Sequence, residues 1–106
     1  MPVVCRKLVR DRIPEIIQAE GRHPVTRVLD DAGYRQALLS KLVEEAREAR
    51  HATADDLPGE LADVLEVVRA LTMTAGMSWP QLLALAEDKR SQRGGFGRRI
   101  FLESVE

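Results

Sequence analysis

The chain is poor in the features that would mark many protein classes. It has one cysteine, four aromatic residues and no internal repeat or low-complexity tract in 106 residues. A lone Cys5 cannot form an internal disulfide, so a disulfide-stapled scaffold is excluded and a reducing, cytoplasmic setting is expected. No apolar run approaches the roughly 20 residues of a membrane-spanning helix. The basic stretch from Met1 to Arg12 lacks the apolar segment and small-residue cleavage site of a signal peptide. With only Tyr34, Trp79, Phe96 and Phe101 as aromatics, the core falls to aliphatic side chains, and thirteen Leu and twelve Ala favour helix. The length suits a single domain over 1–106, with no room for a second.

Net charge is also small, −1 from 16 Lys+Arg and 17 Asp+Glu, but the charges are not mixed. Eight acids fall between residues 44 and 66, and nine bases lie near the two ends, from Arg6 to Arg12 and from Lys89 to Arg99. An acidic middle between basic flanks suits carboxylates that hold a cation and bases that meet the anion bound to it. It does not suit a nucleic-acid polymer, which needs a continuous basic face.

Punctuation divides the chain into four helices. The first is expected over Ile13–Glu20, with Pro14 early and Gly21 as the stop. Asp30 or Asp31 caps a second helix that runs to about His51. The third begins at Asp55 or Asp56, with Pro58 in its first turn, and ends at Ala75 before Gly76. Ser78 caps the fourth, which fades by Gln92 ahead of Gly94 and Gly95. Residues 24–29 and 99–105 are expected to form two short strands that pair as a β appendage. The fold class is therefore an all-α bundle of about four helices with that small appendage. Tyr34, Leu38, Leu42, Ala46 and Ala49 form one apolar stripe, and Leu61, Val64, Leu65, Val68 and Leu71 another. Two or three such helices bury little alone, so partner subunits are expected to complete the bundle.

The second helix breaks its own pattern. At about 100° per residue, Glu45 falls inside the apolar arc, Glu48 at its edge and Glu44 about 100° away. A charged carboxylate aimed into a core is costly unless it is paired or binds a metal. Glu60 and Asp63 border the stripe of the third helix in the same way. Four carboxylates, Glu45, Glu48, Glu60 and Asp63, thus converge where two helices joined by a short loop pack. An all-oxygen set of this kind suits a hard divalent cation, Mg²⁺ or Mn²⁺, with phosphate oxygens and water completing its shell. The alternative is surface pairing with Lys41 and Arg47, worth only about 0.2–0.5 kcal/mol per pair and no reason to point Glu45 inward.

Glu44-Glu45-Ala-Arg-Glu48, followed after eleven residues by Glu60-Leu-Ala-Asp63, resembles the EExxE…ExxD signature of the all-α nucleoside triphosphate pyrophosphohydrolases. That superfamily includes MazG-like enzymes, dimeric dUTPases and phosphoribosyl-ATP pyrophosphohydrolases. Lys7-Leu-Val-Arg-Asp-Arg-Ile-Pro14 and Lys89…Arg93-Gly-Gly-Phe96 resemble a small branch of predicted house-cleaning pyrophosphatases. The resemblance spans the whole chain. It implies a MazG-like bundle, working as a homodimer or homotetramer, in which Mg²⁺ on Glu45, Glu48, Glu60 and Asp63 binds a nucleoside triphosphate. Water would attack the α-phosphorus and release the monophosphate and pyrophosphate. Glu44 and Glu45 are then the catalytic carboxylates, with Glu44 orienting water or a second ion. Lys7, Arg10, Lys89 and Arg93 are the expected phosphate contacts.

Two other readings are open at this stage. Glu48-Ala-Arg-His51 is formally an ExxH, the motif of di-iron and di-manganese carboxylate bundles. A non-enzymatic helical module whose acidic stripe meets a basic partner is the other.

Overall fold

The computed structural model describes residues 2–106, so Met1 lies outside the described residues. Four helices follow in order: α1 (Ile13–Ala19), α2 (Asp31–His51), α3 (Leu57–Thr74) and α4 (Trp79–Arg93). Their ends are set by local chemistry. The Asp30 carboxylate accepts from the Gly33 N–H at 2.7 Å and so caps α2. Ser78 and Gln81 satisfy each other's backbone N–H groups at the start of α4, a reciprocal capping box. Asp56 precedes α3 without a side-chain cap; Thr53 Oγ1 instead accepts from the Asp56 N–H. At the end of α3, Gly76 takes φ +73°, its N–H bonds to Met73 O, and the Met77 N–H reaches Thr72 O. That pairing satisfies the last carbonyls and stops the helix.

Residues 52–56 turn the chain between α2 and α3, and the two helices pack along their length as an antiparallel hairpin. Across this hairpin Glu45 of α2 comes close to Glu60 and Asp63 of α3, and Glu48 is a neighbour of Glu60. Leu38 and Val67 are the buried hydrophobic residues, with Thr72 and Glu45 buried beside them. The α2 stripe is covered at Leu38, Leu42 and Ala49, while Tyr34 and Ala46 are exposed, contrary to the core expected for them. On α3, Val64, Val68 and Leu71 are half-buried, but Leu61 and Leu65 are 54% and 48% exposed, contrary to the core expected for them. α3 is apolar around more than one flank, and α2 covers only one. On α4, Trp79 and Leu82 are half-buried, and every later residue of the helix is exposed. Arg69 stacks over the Trp79 ring at 4.9 Å from its centroid and ties this first turn to α3.

The expected β appendage does not form: no strand occurs among the described residues. Val25 and Val28 are 88% and 98% exposed, so residues 24–29 have no face to bury. Arg99 lies in the left-handed region with φ +60°, and its N–H closes a turn onto Phe96 O at 3.0 Å. An extended run cannot begin there. The Cα radius of gyration is 17.9 Å, against roughly 13 Å for a compact chain of this length. The excess fits a hairpin with projecting ends. No helix among the described residues is long and apolar enough to cross a membrane.

Candidate metal centre

The hairpin register brings three of the four expected ligands together. Oxygens of Glu45, Glu60 and Asp63 all lie within 4.8 Å of one another. Glu45 comes from the buried flank of α2, and Glu60 and Asp63 come from successive turns of α3. Glu45 is only 7% exposed. Its Oε1 meets Lys41 Nζ at 3.2 Å, but its Oε2 is buried with no hydrogen-bond partner. Glu60 Oε2 is orphaned in the same way. Carboxylates that converge in this way, two of them each carrying a buried oxygen without a donor, have the chemistry of an oxygen-only cation site.

Glu48 is exposed and outside the trio, but it is a neighbour of Glu60. The Glu60 carboxyl is pushed above its ordinary range, first by loss of hydration and next by the charge of Glu48, then by Asp63 and Glu45. Carboxylates this crowded resist simultaneous ionisation, and a divalent cation removes the conflict.

Glu44 stands off the seam, as its place on the helical wheel requires. Its two oxygens meet Lys7 Nζ at 3.8 Å and Lys41 Nζ at 3.5 Å. Lys41 therefore joins the carboxylate cluster rather than pairing on the open surface. It lies one turn before Glu44 and Glu45 and is 17% exposed at the side chain, so this is no solvated surface pair. The i, i+4 spacing to Glu45 was the available signal. Arg47 has no acidic partner within ion-pair distance among the described residues.

The expected phosphate-binding bases divide into two groups. Arg10 Nη2 donates to Asp63 Oδ1 at 2.6 Å, and Lys7 meets Glu44, so the N-terminal bases reach the acidic centre. Lys89 and Arg93 do not. They lie on the exposed part of α4, without ion pairs among the described residues, and Arg93 lines an open groove with Arg90, Arg98, Arg99 and Phe96. α4 touches the hairpin only near its start, so one chain does not bring its far end to the carboxylates. His51 is the exposed last residue of α2 and lies outside the trio, so the ExxH spacing does not add a nitrogen ligand to it.

No family model matches the chain, and no solved structure matches it. An uncharacterized protein from Mycolicibacterium smegmatis is 56% identical to it over 50 residues, 47% of this chain and 51% of that protein. The chain thus spans about half the length of the curated relative it matches.

Proposed function

We propose that the chain is a Mg²⁺-dependent nucleoside triphosphate pyrophosphohydrolase of the all-α, MazG-like kind, acting in the cytoplasm. One observation carries this reading: three carboxylates from two helices meet within 4.8 Å, and two of their buried oxygens have no hydrogen-bond partner. The donor set fits a hard cation, because every ligand is a carboxylate oxygen and none is nitrogen or sulfur. Glu45, Glu60 and Asp63 would hold Mg²⁺ or Mn²⁺, with Glu48 joining through its contact with Glu60. Such an ion neutralises phosphoryl oxygens and makes water more acidic.

The chain's own residues supply the rest. Glu44, beside the trio and half-buried, orients the attacking water and takes its proton. The water oxygen bonds to the α-phosphorus, the bridge to the β-phosphate breaks, and pyrophosphate leaves. Lys7 and Arg10 would meet phosphate charge beside the carboxylates, a role supported by their pairs with Glu44 and Asp63. Leu39, Val43, Leu61 and Leu65 expose apolar surface on α2 and α3, which supports a homodimer or homotetramer. Contact of Lys89 and Arg93 with the phosphates would require a second copy to present them.

The test is purified protein with Mg²⁺ and a panel of standard and altered nucleoside triphosphates, followed by chromatography of the products. Monophosphate and pyrophosphate are expected, with turnover lost in Glu45→Ala. Orthophosphate as the first product, or full turnover in that variant, would sink the mechanism.

A further inference from the structure

The segment before α1 crosses both helices of the hairpin at the level of the carboxylates. Lys7 is paired to Glu44 of α2 and Arg10 to Asp63 of α3, at 3.8 and 2.6 Å. Leu8 and Val9, between the two anchors, are half-buried, whereas residues 2–7 and Arg10 are exposed. The segment is therefore fastened by two ion pairs and a short apolar contact. Arg6, just outside the first anchor, sits at φ +44°, an unfavourable region for a residue with a side chain.

Asp63 has two claimants. It is one of the three carboxylates that converge on the cation site, and its Oδ1 already accepts from the Arg10 guanidinium. A doubly charged ion outcompetes a guanidinium for one carboxylate, and at this range it also repels it. Both side chains of the existing pair are about half exposed, so the pair is screened and easily exchanged.

We propose that residues 6–12 form an ion-exchange strap: Arg10 occupies Asp63 while the centre lacks a cation, and cation binding expels it. This rests on the carboxylate trio being a cation site, as in the proposed function. The freed guanidinium then faces the anion that the cation carries, so one residue guards the empty centre and grips the phosphate of the filled one. Arg10 is in this sense a positioning residue whose partner depends on the occupancy of the site.

The experiment measures Mn²⁺ binding by electron paramagnetic resonance in the full chain, with circular dichroism to verify that each variant keeps its helices. Arg10→Ala is expected to bind Mn²⁺ roughly two- to five-fold more tightly, the range that loss of an exposed competing ion pair supports. Arg10→Lys stays near the wild type. Arg12→Ala, which removes the same charge two residues away, also stays near it. Mn²⁺ binding by the wild type that Arg10→Ala leaves equal or weakens would overturn the strap alone. No Mn²⁺ binding by the wild type would overturn the cation site and the strap with it.

Discussion

Arg10 and Asp63 are 53 residues apart in the chain, yet the guanidinium Nη2 donates to the Asp63 carboxylate at 2.6 Å. The contact brings a base from the positive N-terminus onto an acid of the negative middle. It joins the two halves of the charge pattern within one molecule.

For stability this pair should count for little. Its side chains are 56% and 43% exposed, and exposed ion pairs contribute about 0–1 kcal/mol. Arg10→Ala is expected to lower the urea-unfolding free energy by less than about 1 kcal/mol, a difference that shrinks in 1 M salt, where screening acts over only ~3 Å. A larger, salt-insensitive loss would mean that Arg10 packs rather than pairs.

Lys41 should behave differently, because it meets the buried carboxylate of Glu45. Its removal in Lys41→Met leaves that charge without its one cationic partner. A cost of about 1.5–3 kcal/mol is expected in urea unfolding with a chelator present. Saturating Mg²⁺ should recover part of it, since an ion on the trio compensates the same carboxylate. Equal losses with and without Mg²⁺ would separate Glu45 from any cation site.

Glu60 sets a pH dependence whose sign is fixed by its raised folded-state value. Between its ordinary value near 4.5 and that raised value, the folded chain holds a proton that the unfolded chain has released. Stability of the metal-free protein from this group therefore falls as pH rises through that window and is flat above it. Divalent-cation affinity should rise over the same window, because the cation needs the ionised carboxylate. Glu60→Gln is expected to raise the melting temperature at neutral pH without metal and to weaken Mn²⁺ binding. Thermal melts from pH 4 to 8, with and without Mg²⁺, test both signs.

Two leucines distinguish the core of the chain from the face left open. Leu38 is 3% exposed, and Leu38→Ala should cost about 2–5 kcal/mol. Leu65 is 48% exposed on α3, and Leu65→Asp should leave helicity intact while reducing the mass measured by light scattering. A wild-type mass of 11.9 kDa, one copy of the chain, would remove the case for assembly.

The helices were legible because their ends are written locally: Asp30, Ser78, Gly21 and Gly76 each act on backbone groups within a few residues. Glu45, Glu60 and Asp63 were legible for a related reason, since helical period and a short loop together place them on one seam. What periodicity does not carry is the choice of flank. Leu61 and Leu65 share the apolar pattern of Val64 and Val68, and which pair is covered depends on where α2 lies. The residues 24–29 and 99–105 have strand-like composition but no opposing edge to bond, and a strand is a property of the pair. The partner of Arg10 was equally hidden, because nothing local in residues 6–12 points to α3.

The separation of Arg10 from Asp63 also orders events in time. The carboxylates of the trio lie within one hairpin closed by residues 52–56, and loops that short close far faster than long ones. The strap needs a much longer loop to close before Arg10 can find its acid. Folding should therefore bring the three carboxylates together first and draw the N-terminal segment over them last.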